Sequence, residues 1–179
     1  MYYTTTLPSP VGELTLACDD SALTGLWLSG QKYHSDTLPE NVGRGDNAPV
    51  LISAAKWLKS YFAAENPPID AIPLRPSGSD FRRGVWDILC KIPYGEVITY
   101  ADIAKKMAAK MNIQSMSAQA VGGAVGHNPI SIIIPCHRVV GTNGSLTGYA
   151  GGIAAKVSLL TLEGANMSSL FIPKNSTAL

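Results

Sequence analysis

Charge is scarce in this sequence. Asp, Glu, Lys and Arg make up 15% of its 179 residues, where about 25% is usual. Apolar residues make up 46%. Little charge with ample apolar content excludes a disordered chain and requires a folded core. Long hydrophobic runs are also missing. None approaches the ~20 apolar residues that span a bilayer, so a membrane helix is excluded. The opening, MYYTTTLPSPVGELTLACDD, lacks the basic region and apolar core of a secretory signal, so a cytoplasmic location is expected. Cysteine is rare, with Cys18, Cys90 and Cys136 the only three. An odd count without a signal argues against a disulfide scaffold, and no Cys/His spacing reads as a zinc site. No metal is expected. No internal repeat and no low-complexity segment is present.

What is there is unevenly distributed. Residues 1–77 carry five Lys/Arg and eight Asp/Glu, a net −3, and residues 78–168 carry eight and five, a net +3; Lys174 restores the overall +1. A basic half beside an acidic half points to a polyanion on one side only, although a solvated surface gives the same balance. The first half reads as an antiparallel hairpin or meander. ELTLA and LTGLWL look like strands, and Pro8-Ser9-Pro10 with Val11-Gly12 is turn chemistry. Residues 30–48 are polar and Gly-rich, hence a loop. PVLISAAKWLKSYFAAEN places Leu51, Ala54, Ala55, Leu58, Tyr61 and Phe62 at helical spacing, and Pro67-Pro68 stop it. The proline-rich IDAIPLRPSGSD is the expected linker. Domain bounds follow at 1–77 and 78–168, with 169–179 as a partly loose tail.

The second half is mostly helical. SDFRRGVWDILCKI puts Phe81, Val85, Trp86, Leu89 and Cys90 on one face, with Asp80 or Ser79 to cap it. TYADIAKKMAAKM opens on Thr99 with Asp102 three residues on, a capping-box variant. Ile103, Ala104 and Met107 face inward, and Lys105, Lys106 and Lys110 face out. NIQS breaks the chain, and SAQAVGGAVGHN follows as a short helix of small residues. Helix, break, helix is the helix-turn-helix plan. Gly122, Gly123 and Gly126 each cost about 1 kcal/mol against alanine in a helix. They either let a neighbouring helix pack closely or let DNA approach.

ISIIIPCHRVVG carries the chemistry. ISIII reads as a buried strand that Pro135 halts, which leaves Cys136 at a stop rather than in mid-core. Cysteine is often only an inert core residue. Here an imidazole at His137 and a cation at Arg138 stand beside it. A thiol of pKa about 8.5 needs such help to react at neutral pH. Neighbours in extended chain point apart, so a water is the natural relay between Cys136 and His137. Glu163, in KVSLLTLEGA, is a candidate to orient the imidazole. Cys18 and Cys90 sit on apolar faces without a histidine and read as structural. His34 and His127 have no partner in sequence.

IIIPCHRVVGTNGSLTGYAGG closely resembles the active-site segment of the O6-alkylguanine-DNA alkyltransferases, or methylated-DNA–protein-cysteine methyltransferases. FRRGVWDILCKIPYGEVITYADIA, AVGGAVGHNP and KVSLLTLEGA extend the likeness over residues 80–165, and SPVGELTLACDDSALTGLWL resembles their N-terminal domain more loosely. The resemblance implies an α+β fold. A small ribonuclease-H-like N-terminal α/β domain would precede a mostly helical domain with a winged helix-turn-helix. It implies a monomer that binds duplex DNA carrying O6-alkylguanine from the minor groove and flips the base. The alkyl group then passes irreversibly to Cys136, once per molecule and with no cofactor. O4-alkylthymine is a further possible substrate.

The same resemblance assigns roles. His137 deprotonates Cys136 through water, Glu163 orients His137, and Asn128 is the hinge from recognition helix to active site. Tyr100 crowds the target phosphate and donates to the leaving guanine at N3. Gln119, Ala120, Gly122 and Gly123 lie on the DNA-facing helix. Arg138 belongs to the base-binding set, and Cys136 and Val139 read the guanine amino group by their backbone. Tyr149, Ala150 and Gly151 form the lid. Two departures stand out: Gln119 replaces the usual arginine finger, and Ala150 replaces a frequent serine. The rival readings are a non-enzymatic, lesion-recognising helix-turn-helix protein and a cysteine hydrolase or redox protein. The presence of Cys136 argues against the first, and the lack of an obvious resolving thiol or oxyanion hole against the second.

Overall fold

The computed structural model describes residues 1–174. It divides into two compact units, 1–77 with 129–133, and 78–128 with 134 onward.

The first unit is built on a meander. β1 (Tyr3–Ser9), β2 (Gly12–Cys18) and β3 (Leu23–Leu28) pair antiparallel in turn. The β1–β2 hairpin closes tightly, with Ser9 opposite Gly12, and Gly12 adopts the positive φ (106°) that such a turn demands. Pro8 and Ser9 therefore sit in β1 rather than in the turn expected there. The polar stretch 30–48 contributes one short strand, β4 (Gly43–Arg44), parallel to β1, and the sheet order is β3-β2-β1-β4. Helix α1 (Pro49–Phe62) buries Leu51, Ala54, Leu58 and Tyr61 as expected and Trp57 besides, while Ala55 and Phe62 are only half-buried. It ends before the Pro67-Pro68 pair, because Ala64 and Asn66 turn left-handed (φ 59° and 49°).

All six residues of β3 are buried, and its outer edge is covered by two short segments. The supposed linker supplies one: Leu23 donates to Pro73 and receives from Arg75. The run before Cys136 supplies the other: Leu26 donates to Pro129 and receives from Ser131. ISIII is thus not a strand. Only Ile130 forms a bridge, to Leu26. Ile132 takes φ 69° while Ile133 N–H bonds back to Ser131, a γ-turn. Pro135 (φ −81°, ψ 63°) then centres an inverse γ-turn in which Cys136 N–H bonds to Ile134. A left-handed, β-branched residue costs about 1–3 kcal/mol. Burial of Ile130, Ile132, Ile133 and Ile134, each 1% exposed or less, offsets it.

The second unit is helical. α2 (Asp80–Leu89) is capped by Ser79, whose hydroxyl accepts from Arg82 N–H. The two-residue strand β5 (Ile98–Thr99) leads into α3 (Tyr100–Lys110), where Thr99 accepts from Asp102 N–H and donates to its carboxylate. Ser117 caps α4 (Ala118–Gly126). α2, α3 and α4 pack on one another, and Trp86 Nε1 donates to the Ala124 carbonyl (2.9 Å). A single turn at Cys136–Arg138 feeds β6 (Val139–Val140), which pairs parallel with β5. α5 (Ile153–Leu162) follows the 141–152 loop. The expected loose tail is partly tied: Phe171 exchanges backbone hydrogen bonds with Gly144 and Leu146, and Leu170 packs on Val140, Leu146 and Leu160. The rest of that tail, 175–179, lies outside the described residues.

Candidate active site

Cys136 opens a one-turn helix directly after the Pro135 turn and is 4% exposed. Asn128, buried just beyond the end of α4, sends its amide to two acceptors, the Ile134 carbonyl at 2.8 Å and Cys136 Sγ at 3.1 Å. One side chain thus fixes both the approach to the turn and the sulfur. Such a donor stabilises negative charge on sulfur more than it stabilises a neutral thiol.

His137, next in the turn, is wholly buried, with Nε2 2.7 Å from Glu163 Oε1. The carboxylate accepts, so Nε2 carries the proton and Nδ1 carries the lone pair. Burial pushes the imidazole pKa below its ordinary value, against the pull of Glu163, and the ring is neutral at pH 7. Burial also works to raise Glu163. Hydrogen bonds and charge from His137 and Arg138 outweigh it and hold the carboxyl far below the usual range.

Arg138 departs from its expected place. Its side chain is 7% exposed, and its donors are spent inside the protein. Nε and Nη2 grip the two oxygens of Glu163 at 2.8 and 3.0 Å, and Nη1 bonds the Ile92 carbonyl at 2.6 Å. Glu163 also accepts from Gly95 N–H (3.1 Å). Gly95 must be glycine: φ is 76°, and a Cβ would lie 2.6 Å from the Glu163 carbonyl. The Pro93-Tyr94-Gly95 turn is thereby held against the carboxylate that orients His137.

The other expected residues fall around this centre. Tyr100, first in α3, points its hydroxyl at the Thr147 and Gly148 carbonyls, both at 3.3 Å. Burial, then the charge of Cys136, raises its pKa far above normal, so it stays a proton donor. Tyr149 is buried and meets His137 edge-on, ring centres 6.5 Å apart. Ala150 and Gly151 are half-buried, and Gln119 and Ala120 are exposed on α4. The α4 glycines are not required by close side-chain contact. A Cβ on Gly123 or Gly126 would meet nothing within 4 Å, and one on Gly122 would meet only the Tyr100 ring at 3.9 Å. A side chain would thus be tolerated at these positions without a clash. The environment of the other two thiols favours their protonated form. Burial raises Cys18 and pushes Cys90 up to about 11.

The same architecture is found elsewhere. Residues 80–165 match the model of the 6-O-methylguanine DNA methyltransferase DNA-binding domain, and residues 1–76 match that of the ribonuclease-like domain of the same proteins. The methylated-DNA–protein-cysteine methyltransferase of Mycolicibacterium paratuberculosis is 45% identical over 158 residues, covering 88% of this chain and 90% of its own. The chain belongs to the 6-O-methylguanine DNA methyltransferase family. A Methanosarcina acetivorans methyltransferase of that name is 41% identical over 92% of this chain and 99% of its own. Among solved structures, Mycobacterium tuberculosis OGT in complex with DNA superposes with a TM-score of 0.77 at 43% identity, over 90% of this chain and 91% of that one.

One methyltransferase residue escaped the sequence reading. Lys156 is 0% exposed, with its ammonium on the Val139 and Thr147 carbonyls. A signal was available. Lys156, Leu159, Leu160 and Glu163 recur at i, i+3, i+4 and i+7, a stripe that turns inward.

Proposed function

We propose that this chain repairs DNA by direct reversal, transferring the alkyl group from O6-alkylguanine to Cys136 irreversibly and once per molecule. The observation that carries the reading is the buried Glu163–His137 pair (2.7 Å) beside a cysteine whose sulfur already faces the Asn128 amide at 3.1 Å. A neutral imidazole with Nδ1 unprotonated is a base. Taking the thiol proton, through a bridging water, makes a thiolate at Cys136 and an imidazolium that Glu163 stabilises.

The thiolate attacks the alkyl carbon. The carbon–sulfur bond forms as the carbon–O6 bond breaks, and the electron pair stays on the guanine. Tyr100 donates to N3 of that leaving base. Its present bonds, at 3.3 Å, are longer than the ~2.7–2.8 Å of a good O–H···O bond, so exchanging them for N3 is cheap. A thioether does not hydrolyse, so Cys136 is consumed and no cofactor is needed. The base arrives flipped from the minor groove. Exposed Gln119, Ala120 and Gly123 and half-buried Gly122 face the duplex, and Gln119 stands in the gap the base leaves. Val139 and Cys136 read the guanine amino group by their backbone, and Tyr149, Ala150 and Gly151 line the lid. O4-alkylthymine is a second candidate substrate. The protein acts as a monomer in the cytoplasm. No helix among the described residues is long and apolar enough to cross a membrane.

Intact-mass spectrometry after incubation with an O6-methylguanine duplex tests the proposal. A stoichiometric gain of one methyl (~14 Da) in wild type and none in Cys136→Ala is expected. A bound duplex with no gain in wild type would leave a lesion-recognising protein instead.

A further inference from the structure

Lys156 sits in α5 with no exposed surface. An ammonium in such a place is costly unless its protons find acceptors. Its acceptors are two main-chain carbonyls, Val139 at 2.5 Å and Thr147 at 3.0 Å. Packing alone does not call for a lysine here, since methionine would fill the stripe beside Leu159 and Leu160 without the desolvation cost. The two carbonyls belong to different walls of the site. Val139 directly follows the Cys136–Arg138 turn. Thr147 lies in the 141–152 loop and also accepts from Tyr100. Burial pushes the lysine pKa down to about 8, while a charge on Cys136 acts to raise it. It is therefore mostly charged at neutral pH, and a thiolate at Cys136 favours the ammonium as the ammonium favours the thiolate.

A carbonyl oxygen has two lone pairs. One bond from a fixed ammonium orients the Val139 peptide and leaves the second lone pair for another donor. We propose that Lys156 is a positioning residue for base recognition: it sets the Val139 carbonyl to accept from the guanine 2-amino group and holds Thr147, and with it the loop, against the pocket. The inference rests on the reading of Val139 above. Lys156 does not touch the alkyl carbon.

The test compares wild type and Lys156→Met in single-turnover methyl transfer from duplexes carrying O6-methylguanine or O6-methylhypoxanthine, which differ only in the 2-amino group. Wild type is expected to prefer O6-methylguanine. The variant should lose at least about tenfold on O6-methylguanine and much less on O6-methylhypoxanthine, so that the preference collapses. A thermal melt and duplex affinity establish that the variant is folded. Should it not fold, Lys156→Leu, which likewise donates to neither carbonyl, carries the same comparison. A variant that keeps the wild-type preference overturns the inference, even if both rates fall together, because a merely structural residue slows both substrates alike. A wild type that transfers equally from both duplexes overturns it too. A wild type that transfers from neither removes the underlying reading of the site instead.

Discussion

At the scale of single residues, the site depends on one carboxylate with four donors. Glu163 takes hydrogen bonds from His137, from two Arg138 nitrogens and from Gly95 N–H. Glu163→Gln keeps the shape but leaves Arg138 without its counter-charge and His137 free to adopt the other tautomer. Removing one member of a buried ion pair costs about 3–5 kcal/mol, and losing an oriented base about 10²–10⁴-fold in rate. Denaturant melts and single-turnover transfer should show both losses. The pH dependence has a definite sign. His137 is depressed from 6.5 by burial, so transfer should persist as pH falls through 6.5 and fail only below it. Both His137 and Glu163 bind protons more readily unfolded than folded, so stability rises with pH. Their contributions are complete above the unfolded values, 6.5 and 4.5, and are lost as pH falls toward the folded ones. A thermal melt series from pH 8 to about 4 should show progressive destabilisation.

At the scale of elements, α4 separates stability from binding. Gly123 is exposed in mid-helix, and a methyl there meets no neighbour. Gly123→Ala should raise stability by about 0.5–1 kcal/mol through helix propensity. If the bare backbone exists for DNA to approach, the same change should weaken duplex binding. A variant that is more stable and binds as before would refute that use of the glycine. Gln119→Arg adds one cation on the same face. It should tighten binding and steepen the dependence of log K on log salt by about 0.9, one phosphate's worth of counterion release. Most elements were legible beforehand. Ser79 and Thr99, offered as caps by the sequence, do cap α2 and α3, and caps act locally. ISIII was not legible: four isoleucines are as consistent with a strand as with a buried turn, and only the partners of Leu26 decide between them.

At the scale of the whole molecule, the chain leaves its second unit between Asn128 and Ile134 and completes the first. Residues 129–133 are held there by Leu26 and by Gln31, whose buried Oε1 accepts from Leu28 N–H (3.0 Å) and Ser131 Oγ (2.9 Å). Gln31→Ala strands a buried N–H and a buried hydroxyl, at about 1–3 kcal/mol. It should lower the melting temperature while leaving the mass gain at Cys136 stoichiometric. A variant as stable as wild type would mean that water replaces the glutamine. Gln31 escaped the sequence reading because it sits in a stretch whose polarity marks only a loop, and its partner Ser131 lies a hundred residues away.

The sequence alone was sufficient for what depends on near neighbours: the meander, the helices and their caps, the break between α3 and α4, and a cysteine placed at a proline. It also singled out Cys136, His137, Glu163, Asn128 and Tyr100 as candidates, through a motif dense enough to recognise. Tertiary structure decided what depends on charge taken out of water. Arg138, expected beside the base, is bound to Glu163, and Lys156, which the motif did not single out, is bound to two carbonyls. The helical stripe turns Lys156 inward, but what either cation binds is not a local matter, because a buried ion is tolerated only where distant acceptors converge on it, and only the folded chain brings Ile92, Val139, Thr147 and Glu163 to those places.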